Sequence, residues 1–120
     1  MDCNAFYREF IANIFPEDRS FDLEDWGGDI PWTVIFSSLG KYFVKDFATL
    51  SEEKRQKIFL LIKLAMEKEG DLSTAVATGL LEELHKASTK KNASAYEIIN
   101  RLDTESSLYI MAWKEWSELR

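Results

Sequence analysis

Cysteine, histidine, proline and long apolar runs are all scarce in this chain, and each shortage removes a class of function. Cys3 is the only cysteine among 120 residues, which excludes an intramolecular disulfide and a multi-cysteine metal site and suits a reducing compartment. So close to the N-terminus, it is poorly placed to hold the geometry a nucleophile needs, and an inert thiol is the expectation. His85 is the only histidine, so a histidine-rich zinc site is excluded and any triad has one candidate member. The apolar run Ile58 to Ile62 is far short of the roughly 20 residues that span a bilayer. The opening MDCNAFYREF has neither the basic start nor the apolar stretch of a signal peptide, so a cytoplasmic location is expected. Only two prolines, Pro16 and Pro31, interrupt the chain, which leaves room for long helices.

What is present is ordinary globular composition, 46% hydrophobic and 30% charged, at a length suited to one domain. The patterning is helical. Ser51 can cap a helix with Glu52 and Glu53 in its first turn, and Ile58, Leu61, Ile62, Ala65 and Met66 then share a face widened by Phe59, Leu60 and Leu64. This segment reads as the central, most buried helix, with a strand over Ile58 to Ile62 the weaker alternative. Gly70 reads as the residue that ends it and Asp71 as the cap of the next helix, giving a tight antiparallel hairpin over about 52–87. In the second arm Leu72, Ala75, Val76, Gly79, Leu80 and Leu84 form one stripe, and Gly79 is read as a packing glycine rather than a hinge.

Ser94 and Glu97 fit a capping box for a short helix through Leu102, after a polar loop STKKNAS. A final helix over about 104–119 carries Leu108, Met111, Ala112 and Leu119 on one side and Tyr109, Trp113 and Trp116 on an adjacent one, which predicts docking against the hairpin. In the first half, NAFYREFIANIF reads as a helix stopped by Pro16, and IPWTVIFSSLGKYFVKDF as another with Pro31 near its first turn. Their core candidates are Phe6, Phe10, Ile14, Val34, Ile35, Leu39 and Phe43. The fold class is therefore all-α, a single-domain helical bundle of about five to six helices with an ordered acidic loop over about 16–30.

The charge is unevenly placed. Residues 1–40 hold eight acids and two bases, whereas residues 41–120 hold thirteen of each, so the whole net charge of −6 belongs to the first third. Six of those acids lie between Glu17 and Asp29, interleaved with Phe21 and Trp26 and followed by Trp32. Like charges this dense repel one another in the free protein and steer a basic partner toward them, while embedded aromatics supply anchors. Asp18, Asp22, Glu24, Asp25 and Asp29, with Trp26 and Trp32, are the candidate partner-binding residues. A solvated loop that only keeps the protein soluble would look the same. The acidic balance argues against nucleic acid as a partner, and no membrane partner is expected.

Chemistry is otherwise sparse. Asp22, Glu24, Asp25 and Gly27 resemble a calcium loop only loosely, since Trp26 holds what would be a ligand position and Thr33 the place of the closing glutamate. Glu82 and Glu83 lie on a helix already explained by its periodicity, and no phosphate loop, dinucleotide turn or nucleophile elbow occurs. No catalytic residue, cofactor or metal is expected, and the chain reads as a non-enzyme.

The stretches EKEGDLSTAVATGLLEEL and LDTESSLYIMAWKEWSEL resemble small bacterial immunity proteins of polymorphic-toxin and contact-dependent growth inhibition systems. In that group a helix ends in Gly-Asp, the next carries V-x-x-G-L-L-E-x-L, and a late helix carries an aromatic pair spaced like Trp113 and Trp116. The resemblance covers residues 52–119 and implies a protein that binds the C-terminal effector domain of a cognate toxin, often a nuclease with a basic cleft. No binding residue carries over from it, because the acidic segment lies outside the shared motifs. The alternative expectation is a helical adaptor that takes a partner helix or peptide in a groove beside Tyr109, Trp113 and Trp116.

Overall fold

The computed structural model describes residues 1–14 and 30–118, and all regular structure among them is helical. The acidic loop and the stop at Pro16 fall outside the described residues, as does Leu119. The elements are α1 (Cys3–Ile14), α2 (Trp32–Asp46) with a 3-10 turn (Phe47–Thr49), α3 (Glu52–Met66), α4 (Asp71–Ala75), α5 (Glu82–Thr89), α6 (Ala93–Asn100) and α7 (Thr104–Glu118). A π-helical segment (Val76–Leu81) joins α4 directly to α5, so the three form one continuous rod and the described residues make six helices.

That rod, not α3, is the centre of the molecule. All but Thr78 of the residues from Ala75 to Leu81 are buried, so the π segment is enclosed nearly all round. The sequence expectation placed α3 at the centre, yet α3 buries only Ile58, Leu61, Ile62 and Ala65, and leaves Leu60 and Leu64 in solvent. The two leucines lie opposite the buried face, which a run of consecutive apolar residues cannot reveal. The central contact is between the π segment and α2, and Gly79 makes it possible. A Cβ there would lie 2.5 Å from the Thr33 carbonyl oxygen and 3.0 Å from the Phe36 Cβ, so it is a packing glycine, as expected from the stripe of small residues. Around this contact, Phe6 and Phe10 of α1 stack with Phe36 and Phe43 of α2 at centroid separations of 5.0 Å and 5.8 Å. The core candidates of α1 and α2 are buried except Val34, which is 60% exposed because it precedes the inward-facing pair Ile35 and Phe36.

Helix ends differ from the expected ones in three places. Ser51 does cap α3, its hydroxyl oxygen accepting from Lys54 N–H at 3.2 Å. The helix then ends at Met66 rather than at Gly70, and residues 67–70 form the connection. Gly70 is the N-cap of α4 and Asp71 its first helical residue; the Ser73 hydroxyl accepts from Gly70 N–H, 3.1 Å away, in place of a side-chain cap from Asp71. Gly70 takes φ 157°, a conformation few other residues adopt, which is why a glycine stands there. At α6 the cap is Asn92, whose side-chain Oδ1 accepts from Ala95 N–H at 3.1 Å, and not Ser94, because α5 runs on to Thr89 and leaves only residues 90–92 as the loop. Lys91 in that loop carries φ 59°, the left-handed turn residue after α5.

The terminal helix is turned about its axis relative to expectation. Ser106 and Ile110 are buried, Tyr109 and Trp113 half-buried, and Leu108, Met111 and Ala112 face outward. The determinant is the first turn. Asp103 accepts from both Ser106 N–H, at 3.1 Å, and the Ser106 hydroxyl, at 2.7 Å, so a satisfied serine can be fully buried. Seating Ser106 fixes Ile110, one turn on, against the core. A charged cluster closes the opposite side: Arg101 hydrogen-bonds Glu52, and Arg55 and Arg101 both approach Glu97. The hydrogen bond from Arg101 is the main cause that holds the Glu52 carboxyl below the usual range.

Candidate partner-binding site

Of the seven candidate residues, Asp18, Asp22, Glu24, Asp25, Trp26 and Asp29 lie outside the described residues, and Trp32 lies within them. Trp32 opens α2 directly after Pro31, whose fixed φ suits the approach to a helix start. Its indole is half-buried, tilted against Tyr7 of α1 at 6.3 Å and Phe36 of α2 at 5.7 Å. Trp32 also helps wall a hollow of about 750 Å³ between the starts of α1 and α4 and the end of α3. Apolar groups from Cys3, Leu64, Ala65 and Leu72 share that wall with the carboxylates of Asp2, Glu67, Glu69 and Asp71, against one lysine, Lys68.

Two of these acids are already engaged with helix ends. Asp2 accepts from Ala5 N–H at 2.8 Å, and Asp71 stands in the first turn of α4, where a negative charge offsets the dipole. Glu67 and Glu69 are in the connection and make no ion pair among the described residues, whereas Arg55, Lys57 and Arg101 are all paired with glutamates. The local excess of acid at residues 67–71 belongs to the part of the chain whose total charge is zero. Linear counting hid it; the run Glu67-Lys-Glu-Gly-Asp71 was the available signal. Burial pushes the Cys3 thiol up, and the nearby Asp71 and Asp2 carboxylates add to it, so the thiolate is disfavoured here.

The groove expected beside Tyr109, Trp113 and Trp116 is partly filled by its own residues. The Tyr109 hydroxyl donates to Glu82 at 2.6 Å, and Trp113 meets the His85 ring edge-to-face at 5.1 Å. Beyond them a cleft of about 420 Å³ runs over α5, lined by Glu82, Glu83, His85 and Trp113. Ser37 donates to Glu83 there at 3.2 Å, so this carboxylate also has a partner. Desolvation, with the Glu82 hydrogen bond and charge adding, pushes the Tyr109 phenol well above its ordinary pKa. Trp116 remains 52% exposed beyond the cleft.

Among the described residues there is no cluster of three or more His, Cys, Asp or Glu side chains placed to hold a metal ion, and no helix long and apolar enough to cross a membrane. No protein-family model, curated protein or solved structure matches the chain at a significant level.

Proposed function

We propose that the chain is a stoichiometric inhibitor, an immunity protein that binds and neutralises a cognate toxin domain with a basic surface, a nuclease being the best-fitting class. The observation that carries this reading is the placement of charge: the entire net −6 lies in residues 1–40, and its dense part runs directly into Trp32, an aromatic held against the core at the rim of a hollow. An acidic surface with fixed aromatic anchors suits a cleft built for a polyanion, giving fast association and exclusion of wrong partners. The resemblance of residues 52–119 to immunity proteins points the same way, and the cytoplasm is where such an inhibitor would act. The reading involves no catalysis, metal or cofactor.

Two experiments test it. The neighbouring reading frame is expected to encode a large secreted protein, and its C-terminal domain is expressed with and without the chain; rescue of growth is expected, and failure of rescue refutes the reading. Replacing Asp18, Asp22, Glu24, Asp25 and Asp29 with Asn or Gln is expected to slow association and flatten its salt dependence. Unchanged binding by that variant would remove the acidic face from the interface.

A second reading has its own support in α7, whose outward row of Leu108, Met111 and Trp116 is 54%, 59% and 52% exposed. A helical adaptor would cover such a row with the apolar side of a partner helix or peptide. Met111→Asp, at a 59% exposed position, should abolish binding by an adaptor and leave toxin neutralisation through the acidic face intact.

A further inference from the structure

Helix α7 carries two apolar faces, and the body of the protein covers one of them. The covered face holds Ser106 and Ile110, both buried, with Tyr109 and Trp113 half-buried beside them. On the other side Leu108, Met111, Ala112, Glu115 and Trp116 fall at i, i+3, i+4, i+7 and i+8, the spacing of a helix stripe that packs against another element. All five are exposed, Leu108 by 54%, Met111 by 59% and Trp116 by 52%. Glu115 is the only charge within the stripe, while Glu105 borders its start and Lys114 lies off it. At those exposures the three large side chains offer on the order of 350 Å² in one row, a patch size that marks an interaction site and not scattered surface leucines.

We infer that this stripe pairs with the same stripe of a second copy of the chain, the two α7 helices running antiparallel about a two-fold axis at Ala112. The stripe supplies its own complement. Its smallest residue, Ala112, is in the middle, where two helices related by a two-fold approach most closely, and the bulky Leu108 and Trp116 stand four residues to either side. Each Leu108 therefore meets Trp116 of the other copy, and the contact is made twice. The two Glu115 side chains fall about 9 Å apart along the axis, each beside an apolar residue instead of a like charge. A parallel pair would bring them to the same level and would set helix dipole ends of like sign together. With Ala112 and the stems of Glu105 and Glu115 included, each copy contributes about 500 Å², so the pair buries about 1,000 Å², the least that a specific association requires. The inference does not depend on the inhibitor reading, since no residue of the stripe belongs to the candidate toxin-binding set, and it names what covers the row that otherwise favours an adaptor.

Sedimentation equilibrium of the full chain tests it, over a concentration range spanning the dissociation constant of roughly 10–100 µM that so small an interface supports. A monomer–dimer equilibrium is expected. Met111→Asp should weaken it at least about tenfold with an unchanged thermal midpoint, whereas Leu60→Asp, at a 52% exposed position on α3, should leave it as it is. Because each copy carries a net charge of −6, raising the salt concentration should tighten the pair, the opposite of what docking of a basic partner shows. In a Cys3→Ser background, Ala112→Cys should form an intermolecular disulfide under mild oxidation, since the two-fold brings this position onto itself. Leu108→Cys should not, because its two copies lie about 12 Å apart along the axis, beyond the span of a disulfide. A dimer that Met111→Asp leaves intact, one that salt weakens, or cross-linking through Leu108→Cys in preference to Ala112→Cys would overturn the inference. So would a chain that stays monomeric throughout the range, which would leave the row to a different protein.

Discussion

Replacing Gly79 with alanine should destabilise this protein even though it improves the local helix. Alanine is favoured over glycine in a helix interior by about 1 kcal/mol, so the substitution at an exposed position would be stabilising. At Gly79 the added methyl would sit 2.5 Å from the Thr33 carbonyl oxygen, 3.0 Å from the Phe36 Cβ and 3.2 Å from the Ser37 nitrogen. Two of these three are backbone atoms of α2, which cannot swing aside as a side-chain tip can. Relief requires α2 to move away from the π segment, and Phe36, Leu39 and Phe43 move with it out of the core. Overpacking of this kind costs about 1–3 kcal/mol, and a backbone obstacle puts it near the top of that range, leaving a net loss of about 2 kcal/mol after the propensity gain. For a chain of this length that is a fall in Tm of roughly 6–10 °C, measurable by circular dichroism melting and by urea titration. Gly40→Ala is the control. Its Cβ would meet Glu83 Cβ and Cγ at 3.2 Å and the Leu80 carbonyl oxygen at 3.3 Å, close contacts that a shift of a few tenths of an ångström relieves, so a change within about 1 kcal/mol is expected. A Gly79→Ala protein as stable as the wild type would refute the close approach of α2 and the role given to this glycine.

Four further outcomes follow from the geometry. Asn92→Ala should cost about 1 kcal/mol in urea unfolding, because the α6 cap is lost, while Ser94→Ala should leave the midpoint nearly unchanged. Lys91→Gly should raise stability by about 1 kcal/mol, since the left-handed φ of 59° is strained for lysine and open to glycine. Tyr109→Phe should lose about 1 kcal/mol at neutral pH by removing the 2.6 Å hydrogen bond to Glu82. The folded phenol keeps its proton above the ordinary tyrosine pKa of about 10, so the wild type's contribution from Tyr109 is complete below that pH and fades as pH rises past it; the alkaline arm of stability against pH should be shallower in the variant.

Much of the fold could be read from the residues, and the exceptions share a physical cause. Helix existence was legible because the 3.6-residue period of apolar side chains is local, and Ser51, Gly79 and the α1 and α2 core positions other than Val34 are where the pattern put them. Which face of an apolar helix is buried was not legible for α3 or α7, since each offers more apolar surface than one neighbour can cover. In α7 the choice was made by a polar residue: Ser106, satisfied by Asp103, takes the inside position that Leu108 and Met111 were expected to fill. The π turn at Val76–Leu81 was equally hidden, because its sequence VATGLL has an ordinary helical stripe.

The candidate site shows a related limit. Counting charge along the chain isolated the acids before Trp32 but treated everything after residue 40 as neutral, since thirteen acids and thirteen bases cancel there. Folding does not average charge that way. The bases Arg55 and Arg101 are drawn into one cluster with Glu52 and Glu97 between α3 and α6, and Lys57 pairs with Glu53 on α3. Glu67, Glu69 and Glu105 line one hollow that no basic side chain lines. A neutral total thus still holds local differences: the paired cluster contributes little to steering, whereas carboxylates grouped in one place set up a local negative potential even though bases elsewhere balance them in the sum. A basic partner docked beside Trp32 would meet the carboxylates of Glu67 and Glu69 as well, so neutralising the acids of the first forty residues alone should leave a residual salt dependence of association that Glu67→Gln and Glu69→Gln reduce further.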